Sequence, residues 1–401
     1  MSRRPLPSTA RFRHRSRKRI LYIQFTDPAC YPVLVNSARA LSRAGWTALF
    51  LGVTAWGDAS VLRHPRDTGV TARLLSLSGT GVLQKSRYLL YCVWVCLVAL
   101  YWRPDCVYVS DLWACPLAIF LKKLLHVRVV YQELDSPAAA EGSNLGLALR
   151  FCLAARRRLA ALAEACVVPN EGRALAFVQA VGSDAPVVTA MNCPLRDEGS
   201  IARSASDRPE FRITYHGSLN PTRLPLSVVQ ALADLPGETT LQLIGYETVG
   251  AAGYAQVLRR RMLDLGLGDR VRVVGVVPER NVLLGLCRDA DVGLALMASE
   301  ADLNERTMAG ASQKVFEYLA CGLPVLVSDS DFWRELFVEP GFGLCCDPSD
   351  PESIAGQLGW FATHREAGLR MGELGRTKVL ADWNYETQFG DVLDLLESRY
   401  R

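Results

Sequence analysis

A serine, a lysine and a glutamate stand close together in the stretch ASQKVFEYLACGLPVLVSD, residues 311–329. The polar loop ASEADLNERTMAGAS, residues 298–312, comes just before, so Ser312 is expected at the N-cap of a helix. A helix start offers free backbone N–H groups and the positive end of its dipole, which together suit an anion. Lys314 adds a full positive charge there. Glu317, one turn further, can accept two hydrogen bonds from a vicinal diol such as a ribose. Lys314 is also the only lysine between Lys123 and Lys378, in a region that otherwise writes its long cations as arginine.

A second loop has related chemistry. In YHGSLNPTRLP, residues 215–225, a strand is expected to end at His216-Gly217. Gly217 and Ser218 then let the backbone approach a ligand, and Arg223 is expected to open the next helix beside it. A guanidinium and an ammonium on neighbouring loops can hold the two phosphates of a diphosphate. Glu133 and Asp135, in YQELDSP at 131–137, end another strand. They can orient an acceptor or a sugar, or serve as helix caps.

Other signals carry less. Asp329-Ser330-Asp331 has the spacing of a metal-holding carboxylate pair, but FWRELF follows at once, so helix capping is the expected role. GLGDR at 266–270 follows a helix rather than a strand and lacks a third glycine, unlike a dinucleotide fingerprint. GxSxG, a P-loop, CxxC and zinc-like His/Cys spacing are all absent, so no metal and no cofactor are expected. The twelve cysteines read as reduced core thiols.

The elements that must position these residues alternate along the chain. Short, continuously apolar runs such as WTALFLGV, CVYVSD, VRVVYQ and ACVVPN are separated by helical patterns, which implies parallel βαβ units covered on both faces. Residues 196–210, RDEGSIARSASDRPE, interrupt the rhythm and read as a linker. The alternation restarts with FRITYHGS. The fold expected is α/β: two Rossmann-like, doubly wound domains, over 20–195 and 211–380, facing a cleft. In such sheets ligands bind beyond the carboxyl ends of the strands.

The net charge of +4 is modest, and the first nineteen residues alone hold eight Arg or Lys and no acid. The remainder is close to neutral, so nucleic acid is not an expected partner. Residues 1–19 are expected to be a disordered basic head, without the h-region of a signal peptide. YLLYCVWVCLVALYW, residues 88–102, is shorter than the ~20 residues a spanning helix needs. It reads as a buried helix or, with its aromatic ends, as one touching a membrane surface. A contact through 1–19 and 88–102, at the inner face of the membrane of a cytoplasmic protein, is the expectation.

Taken together, KVFEYLACGLPVLVSD, GSLNPTR, the RVRVVGVVPERNVLLGLCRDADVGLAL stretch and GFGLCCDPSDPESIAGQL resemble the retaining nucleotide-sugar glycosyltransferases of GT-B fold, family four. The resemblance spans nearly the whole chain. It implies that the second domain holds a nucleoside diphosphate sugar, with Glu317 on the ribose and Arg223, Lys314, Gly217, Ser218 and Ser312 at the diphosphate. It implies transfer to a saccharide or lipid-linked acceptor with retention of configuration. It also implies a last helix, 381–401, crossing back to the first domain. The sequence departs from the family at three places. Ala309 stands eight residues before Glu317, where the family usually has a first glutamate; TDPACYP, residues 26–32, stands where the family usually has a Gly-rich loop after the first strand; and the acceptor-side histidine is absent, with YQELDSP in its place. A non-catalytic nucleotide-binding partner subunit and a nucleotide-sugar epimerase therefore stay open as alternatives.

Overall fold

The computed structural model describes residues 18–55, 57–64, 67–76, 82–137, 146–182, 185–201, 208–297, 302–398 and 400. Strands β1 Lys18–Ile23, β2 Trp46–Val53, β3 Val70–Leu75, β4 Cys106–Val109, β5 Arg128–Gln132, β6 Ala165–Val168 and β7 Val187–Thr189 form one sheet. Its order is β3-β2-β1-β4-β5-β6-β7. A second sheet contains β8 Phe211–Leu219, β9 Thr239–Glu247, β10 Val271–Gly275, β11 Val292–Ala295, β12 Val325–Ser328 and β13 Gly343–Cys346. Its order is β10-β9-β8-β11-β12-β13. Every strand pair in both sheets is parallel. All four residues of β4, of β6 and of β12 are buried, because helices lie on both faces. This is the doubly wound pair expected from the apolar runs.

The first domain contains α1 Pro32–Arg43, α2 Val82–Trp102, α3 Cys115–Leu125, α4 Leu147–Leu162 and α5 Glu171–Val181. Helices α2 to α5 cover one face of its sheet, with Tyr91, Val95 and Ala99 of α2 turned inward at four-residue spacing. Beyond the second sheet's first strand come α6 Leu226–Ala233, α7 Tyr254–Asp264, α8 Arg280–Arg288, α9 Leu303–Arg306 and α10 Gln313–Ala320. Helices α11 Asp331–Trp333, α12 Pro351–Thr363 and α13 Arg365–Ala381 complete that domain.

Finally, α14 Tyr385–Gln388 and α15 Gly390–Glu397 return to the first domain. Tyr385, Phe389, Val392 and Leu396 pack with α1 residues on the face that α2 to α5 leave open. Each such burial is worth roughly 1.5–3 kcal/mol. Arg128 of β5 fixes the end of α15, donating from Nη1 to Leu396 O at 2.9 Å and from Nη2 to Leu395 O at 2.8 Å. Where the sequence suggested one long last helix, the chain breaks at Phe389-Gly390.

Three further expectations are refined. The basic head stops short of residue 19, since Lys18 and Arg19 already belong to β1; residues 1–17 lie outside the described residues. Within 196–210 the chain forms a 3-10 turn over Arg196–Gly199, and residues 202–207 lie outside the description. The apolar helix at 88–102 begins earlier, at Val82, and only one side of it is buried. Among the described residues, no helix is long and apolar enough to cross a membrane.

Candidate active site

In the second sheet, the strand order reverses between β8 and β11, and the candidate donor residues gather at the carboxyl end of β8. This strand runs past His216-Gly217 to Leu219, pairing with β9 along its whole length. Gly217 has φ 129° and Gly245, its partner on β9, φ 146°. A Cβ on Gly245 would lie 1.8 Å from Gly217 O, and one on Gly217 would lie 3.4 Å from Lys314 Nζ. Two glycines are thus what bring the strand ends together and leave room for Lys314. Ser218 contributes its carbonyl, which accepts from Tyr215 Oη at 2.6 Å.

Arg223 does not open α6. It sits three residues before that helix, in a turn held by Asn220 Oδ1, which accepts from Arg223 N at 2.9 Å. Ser312 does occupy the N-cap position of α10, but its side chain makes no capping bond. The second residue of α10, Lys314, holds its Nζ 4.2 Å from the centroid of the Tyr215 ring. Burial pushes the Lys314 ammonium down to about 7, and the Arg223 charge adds to that, while Glu317 opposes it. Among the described residues neither Lys314 nor Arg223 has a carboxylate within ion-pair distance.

Glu317 is buried, only 3% exposed. Its Oε1 receives Arg280 Nη1 at 2.7 Å, and its Oε2 lies 3.1 Å from His216 Nε2. Burial alone would raise this carboxyl; Arg280 and His216 outweigh it and hold it at about 2. Arg280 is itself shared. Its Nε and Nη2 fork onto Glu198 of the 3-10 turn, the second bond at 2.8 Å. Sequence reasoning missed Arg280 entirely and gave His216 no role beyond ending a strand. Position 309 holds an alanine where the resemblance suggests a glutamate. Ala309 is buried among Met308, Val315 and Phe316, and its carbonyl accepts from Asn170 Nδ2 at 2.7 Å.

The first domain carries a cavity of about 250 Å³ at the carboxyl ends of β1, β4 and β5, lined by Tyr31, Asp111, Trp113, Glu133, Asp135 and Ser136 among others. Glu133 is fully committed. Arg156 forks onto it, with Nη2 at 2.8 Å from Oε1; Tyr131 Oη donates at 2.9 Å and Ser136 Oγ at 3.0 Å. Asp135 is the accessible carboxylate, its side chain 63% exposed, with Arg173 Nη1 at 3.4 Å. Arg173, unforeseen from sequence, is buried at the junction of the domains, donating to Thr307 Oγ1 at 3.1 Å and Asn304 O at 3.1 Å. Ser136 and Asn304 exchange a second pair of bonds across the same seam, at 2.8 and 2.9 Å.

Elsewhere, both Asp329 oxygens are taken by Arg334, and Ser330 occupies the N-cap position of α11 without a side-chain capping bond. Among the described residues no group of three His, Cys, Asp or Glu is placed to hold a metal ion. A larger cavity of about 630 Å³, lined by Arg39, Arg43, Asp67, Glu198 and Arg288, touches none of the expected site residues.

Comparison with known proteins extends the picture. Residues 196–378 match the model of the family described as Glycosyl transferases group 1. A curated protein of Mycolicibacterium smegmatis, described as GDP-mannose-dependent alpha-(1-6)-phosphatidylinositol monomannoside mannosyltransferase, is 24% identical over 160 residues. That match spans 38% of this chain and only 39% of the relative. Over nearly the whole chain the fold matches Anabaena HepE in complex with UDP and glucose, with a TM-score of 0.71 at 17% identity, covering 95% of this chain and 99% of that one. Sucrose-phosphate synthase from Thermosynechococcus elongatus matches with a TM-score of 0.68 at 16% identity, covering 96% and 99%. These likenesses establish the two-domain GT-B fold.

Proposed function

We propose that this chain, whose residues 196–378 match the model of the group 1 glycosyl transferases, moves a sugar from a nucleoside diphosphate sugar to an acceptor hydroxyl with retention of configuration. The observation that carries the reading is the pair Lys314 and Arg223, beside Gly217 and without a carboxylate in ion-pair reach among the described residues. Two like charges in a half-buried cleft repel each other, and a diphosphate relieves that repulsion. Glu317, ionised between Arg280 and His216, keeps lone pairs for the two hydroxyls of a ribose.

The chemistry follows from the charge. As the bond from the anomeric carbon to the diphosphate oxygen breaks, negative charge grows on that oxygen. Lys314, Arg223 and the N-terminus of α10 then bind the departing group more tightly than the donor. The acceptor hydroxyl adds on the same face, and its proton passes to the departing phosphate oxygen. The acceptor, a saccharide or a lipid-linked one, enters from the first domain's cavity, where Asp135 is the carboxylate best placed to orient it. Glu133, saturated by Arg156, acts as the anchor of that cavity wall. The setting is cytoplasmic, at the inner face of a membrane.

A thermal-shift series against UDP, GDP, ADP, TDP and CMP tests the donor site, with the Glu317→Ala variant alongside. One nucleotide should raise the midpoint, and the variant should lose that rise. A rise that survives in the variant would move the ribose elsewhere. Binding without any transfer or donor hydrolysis would instead favour a partner subunit.

A further inference from the structure

We infer that the outer side of helices α2, α3 and α4 is a docking surface for an anionic lipid bilayer, one that brings the acceptor-side cavity to the membrane. The helix α2 is apolar on every side, which in a soluble domain means burial all round. Here only Tyr91, Val95 and Ala99 are fully covered, with Cys92, Trp94, Cys96, Val98 and Trp102 half-buried beside them. Leu89, Val93 and Leu97 form a second stripe, at the same four-residue spacing, that no part of the described chain covers; Leu97 is 61% exposed. Further exposed apolar side chains stand on the helices packed beside it, Phe120 and Leu124 of α3 and Phe151 of α4, the last 65% exposed. Contiguous exposed apolar area of this kind marks an interaction surface.

Charge selects the partner. Not one Asp or Glu occurs in α2, α3 or α4, while Lys122, Lys123, Arg150 and Arg158 project from them. A second copy of the chain placed on this face by two-fold symmetry would set cations against cations. An anionic bilayer accepts both the apolar stripe and the cations. Tyr101, 87% exposed, and Trp113 stand at the edge of the face, where amphipathic rings suit the headgroup level.

The face also leads to the cavity. Tyr88, near the start of α2, donates to Trp113 O at 2.7 Å, and Trp113 lines the cavity that holds Asp111 and Asp135. A lipid-anchored acceptor would keep its chain in the bilayer and offer its polar head past Trp113. That last step rests on the sugar-transfer reading; the bilayer contact itself does not.

The test is co-sedimentation of the full chain with vesicles of phosphatidylglycerol and phosphatidylcholine, compared with phosphatidylcholine alone. The chain should follow the anionic vesicles. The triple variant Leu97→Ser, Phe120→Ser, Phe151→Ser should lose at least about tenfold in partitioning. The double variant Lys122→Gln, Lys123→Gln should lose about fivefold per lysine, an effect that high salt mimics. Leu97, Phe120, Phe151 and Lys123 are exposed and Lys122 is half-buried, so the variants should keep the wild-type thermal midpoint and its rise with nucleotide, which separates this result from failure of the donor reading. A chain that stays in the supernatant would overturn the proposal. So would a triple variant that partitions like wild type, since the basic head would then account for the binding. A lipid-free dimer, seen by light scattering and dissolved by the triple variant, would replace the bilayer with a second copy.

Discussion

Two buried carboxylates, one in each domain, look alike in isolation. Glu133 and Glu317 are each almost fully buried, and each is bound by an arginine. Their surroundings differ. Around Glu133 the charges cancel: Arg156 matches it, and Tyr131 and Ser136 fill its remaining acceptor sites from the same domain. Around Glu317 they do not. Arg280 is shared with Glu198, and Lys314 and Arg223 stand by with no carboxylate of their own among the described residues. Burial and pairing are therefore poor markers of a binding carboxylate. Surplus charge of the opposite sign beside it is the better one, because an anionic ligand can relieve the repulsion that such a surplus creates.

The comparison can be broken most severely at Glu133. Removing one partner of a buried ion pair strands the other, so Glu133→Ala should cost about 3–5 kcal/mol of stability in urea unfolding. Nucleotide affinity of the molecules that remain folded should hold. An affinity loss as large as the stability loss would make Glu133 part of the ligand site after all.

Arg280→Gln probes the other side. Its carboxylate partner stays, with one charge-assisted bond fewer, so nucleotide affinity should fall by about tenfold by calorimetry. Stability should fall too, because Glu198 and Glu317 both lose their arginine. A stability loss with nucleotide affinity intact would make Arg280 and Glu317 a structural pair like the first.

The mildest effect is in pH. Lys314 loses its proton near 7, and a diphosphate bound beside it should raise that value. The complex then holds more protons than the free protein, so binding weakens as pH rises through 7. Donor-sugar affinity should drop about fivefold from pH 7 to pH 8. Lys314→Met should flatten that slope; a slope unchanged in the variant would place the titrating group elsewhere.

The proposed donor site was more legible in the sequence than the proposed acceptor side, for physical reasons. Local signals, namely a polar loop, a helix start and a following apolar strand, placed Lys314 and Glu317 on α10 at the mouth of a parallel sheet. Partners that arrive from distant segments leave no such mark. Arg280, Glu198 and His216 converge on Glu317 only after folding, and in a chain with 45 Lys and Arg one more arginine at a helix start is unremarked. Arg173 is hidden for the same reason. The sequence shows that α2 is apolar but not which of its sides finds neighbours, so its exposed stripe needed coordinates. Turn details also escaped: Asn220 holds Arg223 ahead of α6, and β8 continues two residues beyond Gly217.

The most direct test of the account is a split measurement on Lys314→Ala and Arg223→Ala, with donor affinity by calorimetry and turnover under saturating donor, once the nucleotide is known. If these cations act on charge that develops as the donor bond breaks, each variant should lose about 10²–10³ in kcat while Kd for the donor changes far less. Equal losses in kcat/KM and in affinity, with kcat intact, would mean that they only hold the donor. The surplus charge beside Glu317 would then mark a binding site and no more.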